Sequence, residues 1–313
     1  MVYATELQRN APWGLARISH RNELSLRTFN KYAYDGETAG EGIKVFVIDT
    51  GINVHHHDLE GRAEWGVTIP DGDDDQDGNG HGSHCAGTIA GKRFGVAKKA
   101  IPVAVKVLRS NGSGSMSGVL AGVSWATEQH QIDANQAKTV GKPYKGAVAN
   151  MSLGGGKSSA LNKAVNEAVN MGIIFSVAAG NDNRNACNYS PAGAENAITV
   201  GASNIRDERA SFSNFGPCVD VFAPGENIQS IWRGSQDATN SISGTSMAAP
   251  HVAGLAAYFA SLEQDPVSPK KIKDKILELA TKDKLFNIPN DTANLLIFND
   301  PPSSLIFTVN DIE

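Results

Sequence analysis

Strand-like apolar runs that alternate with helical patterns along nearly the whole chain predict an α/β protein, a mostly parallel sheet covered by helices on both faces. Three observations carry the prediction. Six short apolar runs lie at 44–48, 102–108, 146–151, 172–178, 197–202 and 219–223, near-continuous as buried parallel strands are. Helical patterns intervene or follow at 81–91, 117–130, 158–170, 245–262 and 269–281. The first run ends on Asp49-Thr50-Gly51, which sets a carboxylate at the C-terminal edge of a strand, where open α/β sheets place their sites.

Taken in order, Lys44-Val45-Phe46-Val47-Ile48-Asp49-Thr50-Gly51 is a buried strand closed by a turn signal. Asp77-Gly78-Asn79-Gly80-His81-Gly82-Ser83-His84-Cys85 then puts His81 after a glycine-rich loop, opening a small-residue helix. The strand at 102–108 leads through Asn111-Gly112-Ser113-Gly114 to the helix at 117–130, and the strand at 146–151 leads into Ser152-Leu153-Gly154-Gly155. Both glycine-rich segments leave room for a second backbone, and such edges accept an extended peptide by strand addition. Read without context they are two ordinary loops. After the helix at 158–170, whose start follows at once on that segment, the strand at 172–178 runs into Ala179-Gly180-Asn181. An amide side chain there is, by itself, an ordinary turn residue. The runs at 197–202 and 219–223 complete the strands. Gly244-Thr245-Ser246 opens the apolar helix at 245–262, and a hydroxyl at that point lies beside unpaired N–H groups and the positive end of the helix dipole. On its own Ser246 reads equally well as an N-cap. The helix at 269–281 is followed by a polar tail from 300 to 313, with Pro301-Pro302-Ser303-Ser304, expected to be disordered or to pack peripherally.

Four of these residues supply one chemistry. A serine nucleophile needs a base, and the base needs an acid that holds its tautomer and stabilises the imidazolium. Ser246, His81 and Asp49 have those roles. Attack by Ser246 creates an oxyanion, which the Asn181 side-chain N–H and the Ser246 backbone N–H would bind. The Gly-x-Ser-x-Gly elbow of the α/β-hydrolases is not matched, because Ala248 stands at its last position.

The segments VIDTG, HGSHCAGTIAG, SLGGG, AAGN and GTSMAAPHVAG resemble those of the subtilisin-like serine proteases, and Asp…His…Ser is the subtilisin order. Cys85, four residues beyond His81, is similar to the proteinase K branch of that family. APWGLARISH, VAVKVLRSNGSG and ANMSLGGGKS are most similar to the cerevisin group of fungal vacuolar proteases. The likeness covers residues 11–299, read as one peptidase domain, with 300–313 as its tail. It implies a three-layer subtilisin-like fold with about seven strands in the central sheet, and a serine endopeptidase that needs no cofactor for catalysis. It makes Gly112, Ser113, Gly114 and Ser152, Leu153, Gly154 the two substrate-pairing edges. Ala178, Ala179 and Gly180 would wall the pocket for the residue before the scissile bond. Small uncharged walls imply a preference for aromatic or aliphatic side chains with broad tolerance. The implied partners are polypeptide substrates and the enzyme's own N-terminal propeptide, a folding assistant and inhibitor, with a monomeric enzyme. Neither signal nor propeptide is visible, so the chain reads as the mature unit.

The resemblance also implies a structural calcium, held by Asp220 with the backbone carbonyls of Glu195 and Ala197, although Glu195 stands where proline is often found. It implies a Cys187–Cys218 disulfide, contributing roughly 3–4 kcal/mol on a chain-entropy account. Cys85 is left as a buried free thiol on the His81 helix. A disulfide points to the secretory pathway. Asn111, Asn188 and Asn290 each begin an Asn-x-Ser/Thr sequon, which agrees with that route, and Asn150 begins a fourth on a strand expected to bury it. The vacuole is the expected destination and the cell exterior the alternative.

Composition fits one large α/β unit with tight crossovers: 313 residues, 41% apolar, 32 glycines. A net charge of −5 gives no basic footprint for nucleic acid. The apolar runs are strand-sized, short of a membrane span, and nothing near Met1 resembles a signal peptide's core. Gly154-Gly155-Gly156-Lys157-Ser158 lacks the first glycine of a phosphate-binding loop, since Met151 stands there. Asp73-Asp74-Asp75-Gln76-Asp77-Gly78 opens like an EF-hand loop but puts His84 at the terminal glutamate position. It reads first as a solvated acidic loop leading to His81, and second as a weak calcium site. His55-His56-His57 and the His81/His84 pair lack the carboxylate of HExxH and any cysteine cluster, so no zinc is implied. Outside the protease class the alternatives are an inactive scaffold of the same fold and a non-catalytic α/β binding protein. Inside it, a selective paired-basic processing protease would need acidic residues, which 152–156 and 178–181 do not carry.

Overall fold

Side chains alternate across a strand, and in β3 (Lys44–Asp49) that alternation divides the core in two. Val45 and Val47 enter one apolar cluster, while Phe46 and Ile48 enter the other. In the computed structural model, which describes residues 5–302 other than 143, 265 and 267, the same division runs through the whole sheet. In chain order the elements before and after β3 are β1 (Thr5–Arg9), α1 (Trp13–Ile18), β2 (Lys31–Asp35), β4 (Glu64–Thr68), α2 (His81–Ala90) and β5 (Ile101–Lys106). Next come α3 (Met116–Thr139), β6 (Ala147–Met151), β7 (Gly155–Gly156), α4 (Ser159–Asn170), β8 (Ile173–Ala178) and β9 (Tyr189–Ser190). The remainder are β10 (Ile198–Ser203), β11 (Val221–Pro224), β12 (Ile228–Ile231), β13 (Thr239–Ile242), α5 (Thr245–Leu262), α6 (Pro269–Leu279), β14 (Thr281–Lys282) and β15 (Leu295–Leu296).

Among the described residues the central sheet has nine strands in the order β14-β15-β11-β10-β8-β6-β3-β5-β4. The seven from β11 to β4 run parallel. The expected three-layer α/β architecture is therefore present. The sheet is wider than foreseen by two-residue strands at one edge, β15 parallel to β11 and β14 antiparallel to β15. α2 and α5 cover one face, where Ile89, Val252 and Leu255 meet Val47, Val148 and Ile174. α3 and α4 cover the other, where Val119, Val123, Leu161 and Val165 meet Ile48, Val105 and Phe175. Each such fully buried side chain contributes about 1.5–3 kcal/mol relative to leaving it exposed.

α2 and α5 approach closely because both are built of small residues. A Cβ at Gly254 would stand 2.8 Å from the Cβ of Val96 and 3.0 Å from the carbonyl oxygen of Ile89. α4 follows its amphipathic spacing, burying Leu161, Val165 and Ala168, with the Ser158 hydroxyl accepting the Leu161 N–H at 3.2 Å as N-cap. α3 runs on to Thr139 instead of ending at 130. Its buried stripe stops at His130, but the polar residues beyond are adequate helix formers and no breaker intervenes before Gly141.

Nine strands escaped the apolar-run criterion, being two-residue pieces, edge strands or members of two-stranded ribbons. β4 is only part-buried and carries a register shift at Gly66, where a Cβ would meet the Trp125 ring at 2.5 Å. β1 pairs antiparallel with β2, and β12 with β13. The packed unit therefore reaches beyond residues 11–299: the Thr5 hydroxyl donates to the Pro302 carbonyl at 2.8 Å. The tail expectation for residues 303–313 lies outside the described residues.

Candidate active site

The C-terminal ends of β3, β6 and β8 carry Asp49, Ser152 and the loop to Asn181, side by side because those strands are neighbours. Asp49 is fully buried. Its Oδ1 accepts the Thr50 N–H at 2.7 Å and faces His81 Nδ1 at 2.8 Å. Because the carboxylate accepts at Nδ1, the proton sits there and Nε2 is left as the basic nitrogen. Burial of the imidazole opposes its protonation, but the Asp49 charge and hydrogen bond, with Asp77 behind them, outweigh that and hold the His81 pKa above the ordinary 6.5.

His81 is the first residue of α2, and Gly80 before it has φ 105°, a conformation that favours glycine. A Cβ at Gly80 would also strike the Trp232 ring at 2.4 Å. The acidic loop upstream does more than the sequence suggested. Asp77 is buried, and its Oδ1 accepts from Thr50 Oγ1 (2.9 Å) and the N–H groups of Asn79 (3.0 Å) and Gly80 (2.8 Å). Its Oδ2 accepts from the Ser83 N–H (2.9 Å) and hydroxyl (2.6 Å). Thr50 in turn accepts the Gly82 N–H at 2.9 Å. One carboxylate thus ties the residue after Asp49 to the first turn of the His81 helix. The other acids of the loop turn to separate partners, Asp73 to Lys106 at 3.4 Å and Asp75 to the Thr68 hydroxyl at 2.6 Å. They do not converge as calcium ligands do.

Ser246 is the second residue of α5, after Gly244 at the N-cap. Its hydroxyl donates to the Ser152 carbonyl at 3.2 Å, and no direct bond to His81 is formed in this resting arrangement. Resting catalytic hydrogen bonds are often loose and tighten only with substrate. The Ser246 carbonyl has an unusual set of partners. Pro250 lies four residues on inside the helix and has no N–H to offer it. The oxygen accepts instead from the Ser152 hydroxyl at 2.7 Å and the Cys85 thiol at 3.5 Å.

Asn181 is fixed by its amide oxygen, which accepts both the Thr245 N–H (2.8 Å) and the Thr245 hydroxyl (2.9 Å). Thr245 Oγ1 also accepts the Gly180 N–H at 3.1 Å. With the oxygen so held, the amide NH2 is the free end. A Cβ built on Gly244 would lie 3.6 Å from both Asn181 Nδ2 and Ser246 N and 3.7 Å from Asn181 Oδ1, so the Asn181 amide and the Ser246 N–H are neighbours at the start of α5. An oxyanion hole needs two such donors side by side.

The two glycine-rich edges line one groove of about 500 Å3, with Gly112, Ser113, Gly114 on one side, Ser152, Leu153, Gly154 on the other, and His81 between. An adjoining cavity of about 320 Å3 is walled by Ala178, Ala179, Gly180 and Gly154 and opens on Ser246 and Asn181. The pairing of β7 with β9 closes its far side, bringing in Tyr189 and Ala192. Asp182 lies on its wall as well. Asp182, exposed, lies one residue beyond the segment read as uncharged.

Cys187 and Cys218 form a disulfide with Cα atoms 5.3 Å apart. Cys85 is a buried free thiol, and burial pushes its pKa well up. Its sulfur, His81 and Asp49 present ligand atoms within 4.8 Å of one another. His84 and His251 are buried and held neutral, burial pushing each pKa down to about 4. His84 bonds the Ile228 carbonyl and packs edge-on to Trp232, and His251 bonds the Met247 carbonyl. His56 accepts the Asp58 N–H, and His57 faces Asp237.

The calcium expected at Asp220 does not fit the residues present. The Lys273 ammonium donates to the carbonyls of Glu195 (3.1 Å) and Ala197 (2.6 Å) and to Asp220 Oδ2 (3.0 Å), the three groups assigned to the metal. Lys273 lies on α6, remote in sequence from all three, which is why no local pattern disclosed it.

Residues 40–294 match the Subtilase family. The chain is 61% identical over 306 residues to a subtilisin-like protease of Coccidioides posadasii, covering 95% of this chain and 61% of that protein. It is 60% identical over 307 residues to alkaline protease 2 of Aspergillus fumigatus, covering 95% of this chain and 62% of the relative. It thus spans about three fifths of the length of these curated relatives. Among solved structures, a cold-adapted subtilisin-like serine proteinase superposes with a TM-score of 0.81 at 42% identity, covering 93% of this chain and 98% of that one.

Proposed function

The chain belongs to the subtilase family, and from that premise we propose that it is a serine endopeptidase of broad specificity acting through an acyl-enzyme on Ser246. The observation that carries the reading is the pairing of the 2.8 Å Asp49–His81 contact with an Asn181 amide whose oxygen is pinned and whose NH2 lies beside the Ser246 N–H. The substrate backbone would lie between Gly112–Gly114 and Ser152–Gly154, presenting its carbonyl carbon to Ser246 Oγ. As the C–O bond forms, His81 Nε2 takes the hydroxyl proton, Asp49 stabilises the imidazolium, and the oxyanion is held by Asn181 and the Ser246 N–H. His81 then gives that proton to the leaving amine as the C–N bond breaks, and water repeats the sequence on the ester.

Small walls of alanine and glycine support a preference for large apolar or aromatic residues before the scissile bond. Asp182 on the same wall favours a second reading, a more selective processing protease that accepts a basic residue there, and cleavage-site profiling on a peptide library separates the two. A vacuolar enzyme of the cerevisin group, delivered by the secretory pathway with its own propeptide as folding assistant and inhibitor, is the setting we favour, with secretion as the alternative. The disulfide and the exposed sequon residues Asn111, Asn188 and Asn290 support passage through that pathway. Among the described residues no helix is long and apolar enough to cross a membrane.

Ser246→Ala tests the proposal. Hydrolysis should fall to the residual level of the oxyanion hole and binding, on the order of 10³–10⁴ over water, and a fluorophosphonate should label the parent at Ser246 alone. Hydrolysis within tenfold of the parent would reject the assignment.

A further inference from the structure

Lys273 reaches from α6 to the loop that leads into β10. Its ammonium has three donors, and the three groups around it use all of them: the Glu195 carbonyl, the Ala197 carbonyl and the Asp220 carboxylate. Both carboxylate oxygens lie 3.0 Å from the nitrogen, and Oδ2 also accepts the Thr199 N–H at 2.8 Å. The side chain is mostly buried, 18% exposed, so the ammonium is fully satisfied and largely shielded. Burial raises the Asp220 pKa, and Lys273 and the Thr199 N–H oppose that rise.

The oxygens converge from two segments, and the nitrogen from a third, α6. Glu195 and Ala197 end the loop that begins at Tyr189, Ser190 and Ala192, which line the cavity beside Ser246. Thr199 ties the same loop back through its hydroxyl to the Ala192 carbonyl at 2.9 Å. Asp220 follows the disulfide residue Cys218 and leads into β11. Joining two backbone carbonyls and a carboxylate from separate loops is what a bound divalent cation does. Here a monovalent cation does it, tethered covalently to a helix.

We propose that the Lys273 ammonium is a built-in replacement for a structural metal ion, so that the loop behind the substrate pocket is fastened without calcium and its fastening cannot be stripped by a chelator. A calcium ion at this position needs six to eight oxygens at 2.3–2.6 Å, and it would have to displace an ammonium already bonded to the same three groups. Removing the lysine side chain would leave those oxygens facing a space that water can share, which is a calcium site in outline.

The experiment uses the whole enzyme, blocked with a serine-directed sulfonyl fluoride to stop autolysis, as parent, Lys273→Ala and Asp220→Asn. Each is melted in chelator and in millimolar calcium, and calcium binding is measured by titration calorimetry. The parent and Asp220→Asn should show the same calcium response. Lys273→Ala should melt roughly 5 °C or more below the parent in chelator, as expected for breaking a mostly buried ion pair. It should then regain part of that loss with an added, saturable calcium site. Calcium binding by the parent that Asp220→Asn abolishes would overturn the proposal without recourse to the lysine variant. So would a Lys273→Ala enzyme that melts with the parent and gains no calcium response.

Discussion

Replacing Asn181 by alanine removes one of two donors aimed at the developing oxyanion and leaves the other, the Ser246 N–H, on the rigid first turn of α5. Loss of one such donor costs about 2.7–4 kcal/mol of transition-state stabilisation, so kcat should fall by roughly 10²–10³. KM should change little, because the ground-state carbonyl oxygen does not yet reach the donors. The substitution also deletes the acceptor of two Thr245 hydrogen bonds, at about 1 kcal/mol each. A modest fall in Tm is therefore expected from the alanine variant, and it must be separated from the chemistry. Asn181→Asp makes that separation. Its carboxylate can accept both Thr245 bonds, so the scaffold is kept, but an anionic oxygen replaces the NH2 and repels the oxyanion. It should melt near the parent and turn over no faster than the alanine variant. The assay is peptide-anilide hydrolysis, with active sites counted by completed fluorophosphonate labelling. A rise in KM at unchanged kcat in Asn181→Ala, or parental kcat in Asn181→Asp, would refute the oxyanion role.

Mercurials should inhibit although no cysteine is catalytic, because a metal on Cys85 intrudes between His81 and the Ser246 carbonyl. Cys85→Ser should keep activity and lose the sensitivity, and alkylation should count one free thiol before reduction and three after; an inhibited Cys85→Ser enzyme would show the thiol to be elsewhere in the pathway of inhibition. The pH profile tests His81 and Asp77 together. His81 is a base only when neutral and its pKa is held above 6.5, so kcat/KM should rise through a limb centred above pH 6.5 and vanish below it. Asp77→Asn removes one of the raising charges, so the limb should move to lower pH, with a lower Tm because an amide cannot accept all five bonds. An unmoved limb would confine Asp77 to a structural role.

What was legible in the sequence was what rides on local pattern. Apolar runs betrayed the parallel strands because those strands are buried on both faces, and Asp49, His81, Asn181 and Ser246 each sit at the end of one such element or the start of a helix. β1, β4 and β13 are half-exposed and carry no such run. Asp77 looked like one acid among several, since nothing in an acidic stretch says which carboxylate turns inward; the Asx-turn signal before Gly78 and Gly80 was the available clue. Asp182 fell one position outside the segment searched for charge. Lys273 was beyond reach for a plainer reason: its partners lie 53 and more residues away, and only the docking of α6 brings them together.

The carbonyl of Ser246 is where α5, the segment after β6 and α2 touch one atom. Pro250 withholds the bond that the helix alone would have made, so helix formation by itself does not set the serine. The partners that oxygen has instead, Ser152 and Cys85, reach it only once the sheet and both helices on that face are assembled. A half-folded chain therefore has a serine, a histidine and an aspartate but no protease.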